Sequence, residues 1–499
     1  MPAPQRRNRL LWSALLSLTL LLTLLIHPAQ AQGERALPFD ELQFPPLPEI
    51  QLPQYERYVL PNGLTVYLIE DSTLPLIRGT ALFRAGARWE PGEKTGLASL
   101  TGTVMRTGGT PTYFPGELNR KLESRAAAIE TSIGLSSGSA SFDALSADGD
   151  WILGVFGEIL QKPVFAPEQV ALAQTQLRGA IARRNDDPGA IAGRELNKLI
   201  YGAASPYART VEYGTLDAIQ REDLIQFHQT YVRPDQMILG IVGDFQSAAM
   251  KKRINEVFGA WVPPAGKPEL DPPGAAQAQK NQLFLIEQPQ LTQSNVFLGQ
   301  LGGRIDSPDY PALMVMNGVL NGFGGRLFNT LRSQKGLAYS VSGRWQPGFD
   351  YPGSFVAGGQ TRTETTAQFI DALKAEIRRL RTEPITEKEL AYAKESILNS
   401  FIFNFEKPQQ TLGRLMTYDY YGYPQDFIFE YQRRVKETTI EDVQRVAQQY
   451  LQPDQWVTLV VGNGEKLRQD LAGRGQPPRI VDVTIPDTAK ADTLPRPQG

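Results

Sequence analysis

The chain has 499 residues, 41% of them hydrophobic, a net charge of −2 and no cysteine. That is enough for two or more domains with substantial cores, and the near-neutral, interspersed charge argues against a nucleic-acid partner. Without thiols there is no disulfide, no thiolate metal site and no lipid-bearing cysteine. Histidine is as restrictive, because only His27 and His228 occur.

Arg6, Arg7 and Arg9 precede the leucine-rich run over residues 10–26 and the small-residue site Ala29-Gln30-Ala31. This is the pattern of a secretory signal peptide over residues 1–31. The expected product is exported, periplasmic or extracellular, with no membrane span after cleavage. Left uncleaved, the apolar run is at the short edge of a bilayer span and would act as an N-terminal anchor. Cleavage removes His27 and leaves His228 as the one imidazole. Residues 32–54, with Pro45, Pro46, Pro48 and Pro53, read as an extended leader.

From Tyr55 the pattern turns β-like. Residues 57–60 and 64–69 flank Pro61-Asn62-Gly63 and predict a hairpin; residues 79–85 predict a further strand. Residues 117–130 carry Leu118, Leu122, Ala126 and Ile129 on one helical face. Serine-rich strands follow over 135–145, then helices over 151–160, 167–184 and 222–231. His228 lies in the last of these, and a lone imidazole there is expected to be structural. Residues 237–242 form an apolar strand, and residues 263–281 have the Pro/Gly/Ala/Gln composition of a linker.

Beyond that linker the chain repeats itself. Leu68-Ile69-Glu70 is echoed by Leu285-Ile286-Glu287, and Gly86-Ala87-Arg88 by Gly302-Gly303-Arg304. Tyr231-Val232-Arg233-Pro234-Asp235-Gln236 returns as Tyr450-Leu451-Gln452-Pro453-Asp454-Gln455, each ahead of an apolar strand ending in Val-Gly. One shared spacing of about 218 residues marks a tandem duplication. The expected domains are 55–262 and 282–475, each α+β because strands and helices mix without strict βαβ alternation, with a loose Pro-rich tail over 476–499. In the second copy, residues 366–381 place Phe369, Leu373, Ile377 and Leu380 on one face. Thr386-Glu387-Lys388-Glu389 opens the next helix with a capping box.

Chemistry concentrates in residues 321–344. Gly322, Gly324 and Gly325 lead into a helix-like run over 327–332, a polar turn over 333–336 and a strand-like run over 337–341. A helix, turn and strand of these lengths can set Arg332 beside Tyr339. A permanently charged fork and a phenolic donor suit a developing oxyanion. The same two residues could instead serve as a helix ion-pair partner and a half-buried strand aromatic. The three glycines give either backbone room near substrate or a tight turn.

Phe328, Leu331, Arg332 and Gly336-Leu337-Ala338-Tyr339-Ser340-Val341 resemble the C-terminal half of the insulinase-like zinc peptidases, the M16 or pitrilysin-related family, which includes the mitochondrial processing peptidase. The resemblance runs over most of the mature chain. It implies two tandem homologous domains facing each other across a cavity, with the Arg/Tyr pair reaching toward a zinc site and holding a peptide added as a strand along a sheet edge. In catalytic members the first half carries G-L-A-H-x-x-E-H-M, two zinc histidines on one helical face with a glutamate that activates water. The matching stretch here is 96–105. Its histidine positions hold Ser99 and Thr103, its base position Gly102, and the third ligand position, counted back from Asp186-Asp187-Pro188, Ala180. All four are empty of ligand or base, so no zinc is expected on this chain.

The expectation is an exported non-metal subunit of a heterodimeric M16 zinc peptidase. Arg332 and Tyr339 would act in trans on an extended peptide, and zinc would belong to a partner bearing H-x-x-E-H. The alternative is a non-enzymatic M16-like peptide-binding or scaffold protein. A hydrolase of another type has no support, since one histidine cannot furnish a nucleophile, base and orienter set and no G-x-S-x-G elbow occurs.

Overall fold

The duplicated sequence folds as a pair of six-stranded sheets, seen in a computed structural model that describes residues 50, 52–473 and 477–486. The signal-peptide reading, most of the leader and the end of the tail lie outside those residues. The first half runs β1 (Glu56–Val59), β2 (Thr65–Glu70), β3 (Leu76–Phe83), α1 (Leu97–Thr107), α2 (Pro115–Glu123), β4 (Ala128–Ile133), β5 (Gly138–Leu145) and α3 (Gly149–Gln161). It continues through α4 (Pro167–Ala182), α5 (Pro188–Tyr201), α6 (Tyr213–Asp217), α7 (Arg221–Tyr231), β6 (Met237–Gly243) and α8 (Ser247–Phe258). The second half runs β7 (Gln282–Glu287), β8 (Gln293–Leu301), α9 (Tyr310–Leu320), a π-helix (Phe328–Gln334), β9 (Val341–Gln346) and β10 (Ser354–Arg362). Then come α10 (Thr366–Thr382), α11 (Glu387–Phe401), α12 (Pro408–Tyr421), α13 (Phe427–Glu437), α14 (Ile440–Tyr450), β11 (Val457–Gly462), α15 (Gly464–Ala472) and β12 (Arg479–Ile480).

The strand orders are β1-β2-β6-β3-β5-β4 and β12-β7-β11-β8-β10-β9. β6 and, but for Thr458, β11 are apolar, and both are buried at every position, as a strand covered on both faces must be. Each pairs parallel with one neighbour and antiparallel with the other. The sequence echoes are neighbours in these ladders: Glu70 stands opposite Gly243, and Glu287 opposite Gly462. The outer edges differ. In the first sheet it is the hairpin strand β1; in the second it is β12, parallel to β7. The Pro-rich composition predicts a loose tail there, yet Val481 N–H also donates to Leu285 O at 3.0 Å.

The helix expected over 117–130 ends at Glu123. Ala126 takes a positive φ of 48°, and Ile129 and Ile133 then point inward from β4, two-residue spacing replacing helical spacing. Thr386 caps α11 as its sequence predicts, accepting from Glu389 N–H at 3.2 Å. No helix among the described residues is long and apolar enough to cross a membrane.

Each sheet covers one face with helices of its own half and the other with a helix from the opposite half. Ile191, Leu196 and Ile200 of α5 pack on Phe284, Ile286, Val457 and Leu459 of the second sheet. In return, Leu412, Leu415 and Met416 of α12 pack on Tyr67, Ile69, Ile238 and Val242 of the first. A polar seam runs beside them. Asp419 accepts from Tyr67 Oη at 2.7 Å and Arg57 Nε at 3.0 Å, and Arg88 forks onto Asp350 at 2.9 and 2.6 Å. The cavity expected between the halves is therefore replaced by direct packing, because the exchanged helices occupy the apolar sheet faces.

His228 is buried on α7, with Nε2 donating to Leu160 O at 2.9 Å and Phe165 edge-on at 5.8 Å. Burial lowers its pKa from 6.5 to about 4, against the opposing pull of that hydrogen bond. The unfolded chain therefore takes up this proton at a higher pH than the folded one. His228 contributes stability that is intact above about pH 6.5 and is lost as pH falls toward 4, about 3 kcal/mol in all. His228→Gln keeps a donor for Leu160 and should flatten this slope, read from urea midpoints across that range.

Candidate functional site

Four anchors fix the 321–344 segment. Asn321 of the chain just after α9 bonds both backbone groups of Gly343, and Asn317 both of Trp345, at 2.7–3.0 Å. These amides occupy backbone groups of the edge strand β9, so a peptide strand cannot add there through residues 343 and 345. Arg326, 6% exposed, forks onto Glu389 at the start of α11 at 2.6 and 3.1 Å. Burial alone would raise the Glu389 carboxyl, but the Arg326 and Thr386 bonds outweigh it and hold the pKa at about 2. Gly322 turns with φ +81°, and a Cβ there would sit 2.8 Å from the Tyr392 hydroxyl, so this glycine serves a tight turn packed on α11.

Residues 328–334 then wind as a π-helix, with Lys335 N–H reaching Thr330 O at 3.1 Å. Such widened turns are rare and recur at functional sites. Leu331 is fully buried beneath it. Leu337 and Ala338 are both buried, and Leu337 O accepts from Thr361 Oγ1 at 2.7 Å. Two successive inward residues break strand alternation, so β9 begins at Val341 and not at 337 as predicted. Tyr339 is thrown outward and is 81% exposed.

The structure does bring Arg332 and Tyr339 together. The Arg332 Cζ lies 4.8 Å from the Tyr339 ring centre and 4.7 Å from that of Phe328. Phe323, 80% exposed, packs edge-on against Phe328 at 5.1 Å. A guanidinium held between two π faces keeps its edge N–H groups for a ligand. Among the described residues, neither that guanidinium nor the Tyr339 hydroxyl has a hydrogen-bond or ion-pair partner. The arrangement presents a fixed cation and a phenol to solvent, suited to an oxyanion or carbonyl oxygen.

The four zinc-site positions lie on two packed helices, α1 and α4. Glu90, which the sequence reading missed, fixes the start of α1 by accepting from Gly96 and Ala98 N–H at 3.0 and 2.8 Å. Its own carboxyl is pushed up by burial despite those bonds. Ser99 and Thr103 are exposed, and Thr103 Oγ1 donates back to Ser99 O at 3.0 Å. Gly102 faces β4: a Cβ there would lie 2.3 Å from Ile133 N and 2.8 Å from Ser132 C. Thr131 Oγ1 bonds Gly102 O at 2.5 Å across the same contact. Ala180 is exposed on α4 and offers only a methyl group. The residues present do not fit zinc: two hydroxyls and a methyl replace the ligands, and the base position has no room for a side chain.

Residues 218–397 match the family model described as the peptidase M16 inactive domain. A Helicobacter pylori protein named non-peptidase homolog YmxG is 24% identical over 403 residues, 80% of this chain and 91% of that one. The uncharacterized zinc protease YmxG of Bacillus subtilis is 23% identical, over 72% of this chain and 86% of its own. Among solved structures, the peptidase M16 inactive domain from Pseudomonas fluorescens superposes with a TM-score of 0.74 at 25% identity, covering 82% of this chain and 98% of that one. The Escherichia coli periplasmic protease PqqL matches at TM-score 0.69 and 17% identity, where 84% of this chain covers 49% of PqqL. A glycine wedged against β4 at the position matching the base of H-x-x-E-H agrees with these likenesses: the chain is similar to M16 peptidases, their inactive domain among them, and carries no H-x-x-E-H motif.

Proposed function

We propose that this chain is the non-metal subunit of a two-chain M16 peptidase, exported from the cytoplasm, and that it supplies Arg332 and Tyr339 to a peptide carbonyl beside a partner's zinc. The observation that carries the reading is the pair itself. An arginine clamped between two rings and an outward tyrosine stand without hydrogen-bond or ion-pair partners among the described residues, on a segment anchored at four points, while the zinc positions of the same chain carry neither ligand nor base. The direct packing of the two halves supports it too, since the opposite wall of a peptide chamber then has to come from another chain. Water activation belongs to the partner in this reading, and the peptide lies away from the capped rungs of β9.

The test is an affinity pull-down of the tagged mature chain from its own envelope, with mass spectrometry, zinc analysis and a quenched-peptide assay on the eluate. A chain bearing H-x-x-E-H should co-purify. In the reconstituted pair Arg332→Ala should lower peptide cleavage by about 10²–10³-fold and Tyr339→Phe by about 10-fold or more. Because both groups face solvent, folding stability should move by no more than about 0.5–1 kcal/mol. A stable complex without a zinc-bearing chain, cutting no peptide, would replace this reading by the binding or scaffold one.

A further inference from the structure

The second half contains a cavity of about 630 Å³ among α9, α12, α13 and the turn after β9, outside the Arg332 segment. Its walls are rings: Tyr310, Phe349, Phe403, Phe427 and Tyr431. Tyr310 stacks on Tyr431 at 5.0 Å and on Phe427 at 6.4 Å, which fixes the ring planes. The size and the apolar lining are those of a small-ligand site.

One charged group lines this cavity, Arg414 of α12. Its Nη2 donates to Asn404 Oδ1 at 2.5 Å and its Nη1 to Tyr418 Oη at 3.4 Å, while its buried Nε has no hydrogen-bond partner. No carboxylate pairs with Arg414 among the described residues. A permanent cation beside aromatic walls, lacking a counter-ion, is matched by an anion that carries a flat apolar body. A cationic ligand, which the rings alone would favour, is repelled by Arg414.

We propose that this cavity binds a carboxylate carrying an aromatic ring, either as a free small acid or as the C-terminal residue of a peptide. Arg414 would hold the carboxylate and the ring would lie among Tyr310, Phe427 and Tyr431. The inference does not depend on a zinc-bearing partner.

Gly413 supplies a clean test. It lines the cavity, and a Cβ there meets nothing within 4 Å, so leucine has room to project and favours the helix more than glycine does. The full chain is titrated calorimetrically with N-acetyl-phenylalanine, with a peptide ending in phenylalanine, and with the C-terminal amide of each. At least one acid should bind at least about tenfold more tightly than its amide. Binding of both acids identifies the free acid as sufficient; binding of the peptide alone identifies a peptide C-terminus. Gly413→Leu should abolish binding without lowering the melting temperature, and Arg414→Leu should bring the acid down to the amide. Equal binding of acid and amide, wild-type binding by either variant, or no saturable binding of any probe would overturn the proposal.

Discussion

Asp350→Ala should destabilise the folded chain by about 3–5 kcal/mol, because it strands a buried charge between the two halves. The Arg88 side chain is 1% exposed, and Asp350 takes both of its terminal nitrogens. Without Asp350, the guanidinium keeps one long bond to Ser136 Oγ at 3.4 Å and its stack on Trp89 at 4.1 Å, with Nε already unpartnered. The double variant Arg88→Met/Asp350→Leu should recover most of the loss, since it removes both charges and keeps the volume. Denaturant unfolding of the three chains checks this; a single Asp350→Ala variant within about 1 kcal/mol of wild type would show that the pair carries no such weight.

Rewriting the zinc motif should fail for a steric reason. The triple variant Ser99→His/Gly102→Glu/Thr103→His restores the letters of H-x-x-E-H, but a glutamate Cβ at 102 would overlap Ile133 N of β4. Moving α1 off that strand breaks the Thr131–Gly102 hydrogen bond and unpacks Leu100 and Val104. We expect a loss of about 3 kcal/mol or more for the triple variant, and about 1–3 kcal/mol for Gly102→Ala alone. No stoichiometric zinc should bind, because the carboxylate position at Ala180 stays empty. A folded triple variant holding one zinc per chain would contradict this.

The sequence carried the duplication plainly, because the echoed Leu-Ile-Glu triplets sit on β2 and β7, beside the central strands of each sheet. It also carried the Arg332–Tyr339 proximity, since seven positions across a helix and a turn leave few other placements. It did not reveal the widened turn over 328–334. That turn depends on where Leu331 and Leu337 are buried, and local propensity is silent on burial. Leu337-Ala338 looked like strand because apolar residues of that size suit one; only their joint burial shows otherwise. The exchange of α5 and α12 was equally hidden. Ile191, Leu196 and Ile200 announce an apolar helical face, but nothing in their spacing says which sheet will cover it. Long-range ion pairs such as Arg88–Asp350 leave no periodic mark at all.

The exchange of α5 and α12 makes the contact between halves isologous: each copy offers the same surface, a sheet face and a helix, to the other. That is the geometry of a two-fold homodimer. The connection from α8 to β7 thus holds the two halves at high effective concentration and spares them the entropy of finding each other. Once tied, the copies no longer had to remain alike. One could wedge a glycine into the helix where a catalytic carboxylate belongs, and the other could carry the Arg332–Tyr339 pair, without either losing the partner it folds against.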